Sequence, residues 1–134
     1  MGVWGAGSFE NDEAADWIAD FCEDPDEGLL LNTFTTITEM EKDGYLEASD
    51  CSACIAAAEV VAALKGAPHP NISSELKECV ANLEMRVDRK KIDYALKALA
   101  VIKMDSELKE LWDESQDSAD WYAAMGDLET RLKK

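Results

Sequence analysis

One stretch constrains the fold more than any other. From Asp50 to Gly66 the chain reads DCSACIAAAEVVAALKG, and Ala56, Ala57, Ala58, Val60, Val61, Ala63 and Leu64 leave no broad polar face for water. A helix apolar nearly all round belongs in the middle of a protein or in a membrane. The chain contains no run of about 18 apolar residues, the length a bilayer span needs. The segment from about Glu47 to Lys65 is therefore read as a central helix that others must wrap.

The wrapping helices are legible from their caps, breakers and apolar spacing. Asn11 is an N-cap candidate for a helix through about Cys22, with Trp17, Ile18 and Phe21 on its apolar face. Pro25 closes the link and Asp26 can cap a second helix, in which Leu30, Phe34, Ile37 and Met40 or Glu41 recur at three- and four-residue steps; Gly44 ends it. Gly66 stops the central helix and Ala67-Pro68-His69-Pro70 cannot continue it. Ser73 or Ser74 caps a fourth helix with Leu76, Cys79, Val80 and Leu83, and Asp88 opens a fifth with Ile92, Ala95, Leu96, Leu99 and Ile102. Asp105 or Ser106 starts a short helix bearing Leu108, Leu111 and Trp112. A break at Ser115-Gln116-Asp117 precedes the last one, with Trp121, Met125, Leu128 and Leu132. The expectation is an all-α fold, a compact bundle of about seven short to medium helices forming one domain over residues 1–134, with residues 1–10 packed on it as a glycine and aromatic clasp.

Charge narrows the partners. The 134 residues carry 29 acidic and 13 basic side chains, a formal net charge of −16, which disfavours direct contact with nucleic acid phosphates or an anionic membrane surface. The excess is uneven: residues 1–54 hold 14 acidic side chains against the single Lys42, a net of −13, whereas residues 55–134 are at −3. Arg86, Arg89, Lys90, Lys91, Lys97 and Lys103 outnumber Glu84, Asp88 and Asp93 and form a local positive segment that can meet the acidic surface within the chain or across a homodimer.

Cys22, Cys51, Cys54 and Cys79 are read as reduced thiols, small buried side chains rather than a zinc site: Cys51 and Cys54 lie on the central helix, and the other two have no paired spacing. The opening MGVWGAGSF lacks the basic and long apolar segments of a signal peptide, and Ala6 stands where a myristoylation motif wants Ser or Thr, so the expected location is the cytoplasm.

Parts for an enzyme are scarce. The single histidine, His69, has no glutamate or second histidine at metal-ligand spacing, and no nucleophile elbow or Walker loop occurs. Asp12, Asp16 and Asp20 stand at i, i+4 and i+8 along one side of the first helix, but one helix cannot enclose a cation, so a solvated face is the better reading and neither metal nor cofactor is expected.

Three blocks carry a resemblance: WGAGSFENDEAADW from Trp4 to Trp17, GYLEAS followed by AAAEVVAALKG, and SELKELWDES near the end. In this order and spacing the chain resembles the bacterial family catalogued as domain of unknown function 4259, a likeness that covers nearly the whole sequence. The resemblance implies a sequence signature and no function for individual residues. Physically, Gly5 and Gly7 free the backbone so that Trp4 and Phe9 can fold back as apolar plugs ahead of Asn11; together with Trp17 and Trp112 they make up a structural motif.

These observations lead to a non-enzymatic acidic binding protein, specifically an immunity or inhibitor protein that neutralises a basic effector such as a nuclease toxin. Asp12, Asp16, Asp20, Glu23, Asp24, Asp26 and Glu27 would be its carboxylate contacts to Lys and Arg of that basic protein. The alternatives are a small ligand-binding domain or enzyme with a pocket lined by Trp4, Trp17, Trp112 and Trp121, or a self-associating structural protein.

Overall fold

A computed structural model describes residues 12–43, 46–69, 74–83 and 85–134. Seven helices run through them: α1 (Asp12–Glu23), α2 (Glu27–Asp43), α3 (Ala48–Leu64), α4 (Ser74–Asn82), α5 (Arg89–Met104), α6 (Glu107–Asp113) and α7 (Ser118–Lys133). No strand occurs among the described residues, and no helix is long and apolar enough to cross a membrane. The all-α bundle read from the periodicity is the fold.

As its composition requires, α3 is the axis. Every residue from Cys54 to Ala63 is buried, and α3 packs against all six other helices. Its alanines let the neighbouring helix axes approach closely, and larger side chains from the wrapping helices fill the remaining space. Ala14, Ile18 and Phe21 of α1, Leu30, Phe34 and Ile37 of α2, Leu99 and Ile102 of α5, and Leu128 and Leu132 of α7 enter a single cluster with it. Burying each large side chain of this kind is worth roughly 1.5–3 kcal/mol relative to exposure.

Local chemistry sets the helix ends. Asp26 Oδ1 accepts the Gly28 N–H at 2.9 Å and Asp88 Oδ1 accepts the Lys91 N–H at 3.0 Å, both as expected of caps. Ser106, rather than Asp105, caps α6 by accepting the Lys109 N–H at 3.0 Å. At the end of α3, Gly66 takes φ +94°, its N–H donates to the Ala63 carbonyl, and the Ala67 N–H reaches back to Ala62 at 2.9 Å, the paired bonds of a Schellman termination. Ser74 is the first residue of α4 itself. Trp4, Gly5, Gly7, Phe9, Asn11, Gly44 and Ser73, and with them the expected N-terminal clasp, lie outside the described residues.

The start of α3 is capped from a distance. Glu47 makes no side-chain cap; instead Glu107 of α6 accepts the Ala48 N–H at 2.8 Å, while its own N–H donates to the Leu46 carbonyl at 2.9 Å. This reciprocal pair fastens two helix N-termini together.

One ionic link crosses the apolar interior, and a second joins α2 and α5 at its edge. Glu59 is only 1% exposed at the middle of α3, and it forms a two-pronged pair with Arg131 of α7, at 2.7 Å (Nη1 to Oε1) and 3.0 Å (Nη2 to Oε2). Arg131 also donates to Asp127 at 2.9 Å, and Lys65 Nζ donates to the Arg131 carbonyl at 3.1 Å. Burial alone pulls the guanidinium's pKa down, but the hydrogen bonds and charges of Glu59 and Asp127 outweigh it and leave the pKa above its ordinary value. The second link is Lys91 of α5, 2% exposed, which contacts Glu27 of α2 at 2.5 Å and Asp88 at 3.6 Å.

The cysteines split into two kinds, and the expectation of four reduced thiols is corrected. Cys22 at the end of α1 and Cys79 in α4 are joined by a disulfide, with their Cα atoms 5.7 Å apart. Geometry puts them within bonding reach because α4 packs on α1, a proximity that their separation of 57 residues hides. Cys51 and Cys54 are free and buried, as expected. Burial pushes the Cys51 thiol up to about 11, and Cys54 higher than its ordinary value for the same reason. Both should therefore resist alkylation at pH 8 in the folded protein and react only after denaturation. Because the folded pKa is raised, the Cys51 proton contributes stability below pH 9 that is lost as pH rises towards about 11. Alkaline melts of Cys51→Ala should lack that part of the decline.

Candidate functional site

Helix α1 presents its two faces unequally. Ala14, Ile18 and Phe21 point into the core, and Trp17 lies at its edge, stacked on Phe21 with ring centroids 5.2 Å apart and donating Nε1–H to Thr33 of α2 at 3.2 Å. Opposite them, Glu13, Asp16, Asp20, Glu23 and Asp24 are all exposed. At 3.6 residues per turn the four on α1 fall within an arc of about 80°, and Asp24 follows directly after the helix. None of them forms a side-chain hydrogen bond or ion pair with a described residue.

The placement runs against helix electrostatics. Asp20, Glu23 and Asp24 sit at the C-terminal end of α1, where the macrodipole is negative, and the last turn holds no basic residue. Like charges three and four residues apart add further repulsion, roughly 0.2–0.5 kcal/mol per pair. A stripe of this kind lowers the stability of its own helix.

The structure divides the seven anticipated contacts. Asp16, Asp20, Glu23 and Asp24 lie together on the exposed stripe. Asp26 and Glu27 are exposed but engaged within the fold, Asp26 as the α2 cap and Glu27 with Lys91. Asp12 is the first residue of α1, and its side chain is outside the described set. Glu13 belongs to the stripe by position and was not anticipated; its spacing of three before Asp16 was the available signal.

Tryptophans occupy structural positions. Trp121 is 3% exposed, Trp17 and Trp112 pack against the core cluster, and Trp4 falls outside the described residues. Among the described residues, no group of three or more His, Cys, Asp or Glu side chains is arranged to hold a metal ion.

Fold and surface together define a small acidic helical protein, built round a buried apolar helix and carrying a carboxylate stripe without partners among the described residues. The chain belongs to the family described as Domain of unknown function (DUF4259), whose model matches residues 2–124. No curated protein and no solved structure matches it.

Proposed function

We propose that the domain is a non-enzymatic binding protein that captures a basic protein partner on the α1 stripe, as an immunity or inhibitor protein does when it occupies the cationic cleft of a nuclease-type effector. The observation that supports this reading is the accumulation of unpaired carboxylates at the negative end of α1, where they oppose the helix dipole. Function is commonly gained at some cost to stability, and uncompensated charge on a binding face is one form of that cost. Complementary fields would also raise the association rate above the unsteered range of about 10⁵–10⁶ M⁻¹s⁻¹.

The test uses the full chain as bait in native extract at low and high salt, followed by affinity measurement with the purified protein it captures. Asp16→Lys with Asp20→Lys should weaken that complex by about a hundredfold at low salt, by removing two charge-assisted contacts and adding repulsion. The same logic makes Glu23→Lys slightly more stable than the parent, by about 0.3–1 kcal/mol, since it supplies the missing cation at the helix end. Unchanged affinity in the double variant would sink the assignment.

A cytoplasmic location is part of this reading. Cell fractionation should then recover the full chain with cytoplasmic markers. Recovery outside the cytoplasm, in a compartment that keeps the Cys22–Cys79 bond oxidised, would overturn the location.

A further inference from the structure

We propose that the cleft between the start of α5 and the ends of α3 and α7 binds a small amphipathic organic anion, a carboxylate carried on a short apolar body. The cleft measures ≈ 410 Å³, within the range of about 300–1,000 Å³ typical of small-molecule sites. Its wall is apolar where Val87, Ile92, Leu96 and Leu132 contribute, and the first three of these are only partly buried by the fold. A ligand's hydrocarbon would complete their burial.

Charge at the mouth selects the other end of the ligand. Lys65, Arg89, Lys133 and Lys134 line the cleft against two carboxylates, Asp88 and Asp93. Both acids have partners: Asp88 accepts the Lys91 N–H and faces Lys91 Nζ at 3.6 Å, and Asp93 lies 3.8 Å from Arg89. Lys65 donates to the Arg131 carbonyl. That bond to a neutral carbonyl leaves its charge in place, so the surplus cations are Lys65, Lys133 and Lys134, a local excess of positive charge in a chain whose net charge is −16. Part of their effect is to offset the negative end of α7, but that role does not require an apolar concavity beside them. The volume suits a single small molecule rather than a helix of another chain, and α1, which carries the acidic stripe, packs on α3 and α4. The cleft is therefore a site of its own.

Calorimetric titration of the full chain with octanoate tests this, with acetate and octanol as the probes that lack the apolar body and the charge respectively. The expected result is one saturable octanoate site, no saturable binding of acetate or octanol over the same range, and weakening by about tenfold or more in Lys133→Glu with Lys134→Glu. Leu96→Ala, which trims the wall and leaves the cations in place, should weaken octanoate as well. Thermal melts of each variant show whether it is folded, and one that is not is replaced by the gentler Lys133→Gln or Ile92→Val. Equal octanoate affinity in the parent and in folded charge variants would overturn the proposal, as would absence of saturable binding. A mass that doubles at low salt and reverts in the lysine variant, with no octanoate binding, would assign the cleft to a second copy of the chain and overturn it too.

Discussion

Replacing Arg131 with methionine is expected to destabilise the domain by about 3–5 kcal/mol, because Glu59 would remain buried in α3 as a charge without its partner. Set against a total stability of about 5–15 kcal/mol, that loss would leave a marginal fold. Glu59→Met should be costly for the converse reason, although Arg131 retains Asp127 and the Ala67 carbonyl and so loses less. Joining the two changes restores an apolar contact between α3 and α7, and the double variant should be more stable than Arg131→Met alone. The double-mutant cycle distinguishes this account from simple loss of packing, because a pair of opposite charges makes the two single losses far from additive. Urea melts of the four proteins supply every quantity needed. A loss below about 1 kcal/mol in Arg131→Met, or single losses that simply add in the double variant, would mean that the pair is not the buried lock described here.

Opening the Cys22–Cys79 bond is the second large effect. The bond closes a loop across a separation of 57 residues, and the chain-entropy treatment assigns such a loop about 4 kcal/mol. Melting with and without reductant should therefore differ by roughly 15 °C, and Cys22→Ser with Cys79→Ser should melt with the reduced parent whether reductant is present or not. The loss should begin at α4. Only Leu76 of that helix is fully buried, and α4 packs against α1 and α3 alone to any extent, so it has the weakest hold on the core once the bond is gone. Amide exchange in the reduced protein should show α4 opening ahead of α3 and α5. A melting temperature indifferent to reductant would contradict the expectation.

Much of the architecture was open to reading because helix formation is local. Caps at Asp26, Asp88 and Ser106, the stop at Gly66, and apolar residues at three- and four-residue intervals all act within a turn or two of chain. The central position of α3 was equally legible, since an apolar surface on every side admits one environment in a bundle whose other helices are amphipathic, its middle. Most of the acidic stripe could be read for the same reason: Asp16, Asp20, Glu23 and Asp24 follow one another at three- and four-residue spacing. What the fold does with each carboxylate could not. That Glu27 is engaged by Lys91, while Glu23 and Asp24 are left unpaired, depends on where α5 comes to rest against α2.

Glu59 marks the division most clearly. It was visible as the one charge in the run IAAAEVVAAL, yet its partner lies 72 residues away, and only packing of α7 on α3 brings the two together. The Cys22–Cys79 bond, the capping of α3 by Glu107 and the mixed cleft between α3, α5 and α7 have the same origin. The sequence by itself determined the helices, their apolar faces, the axis of the bundle and the asymmetry of charge, because each follows from residues within a few positions of one another. Tertiary structure alone decided which charges are spent inside the fold and which remain on its surface, because the distance between two side chains far apart in sequence is set by how helices pack and not by the residues between them.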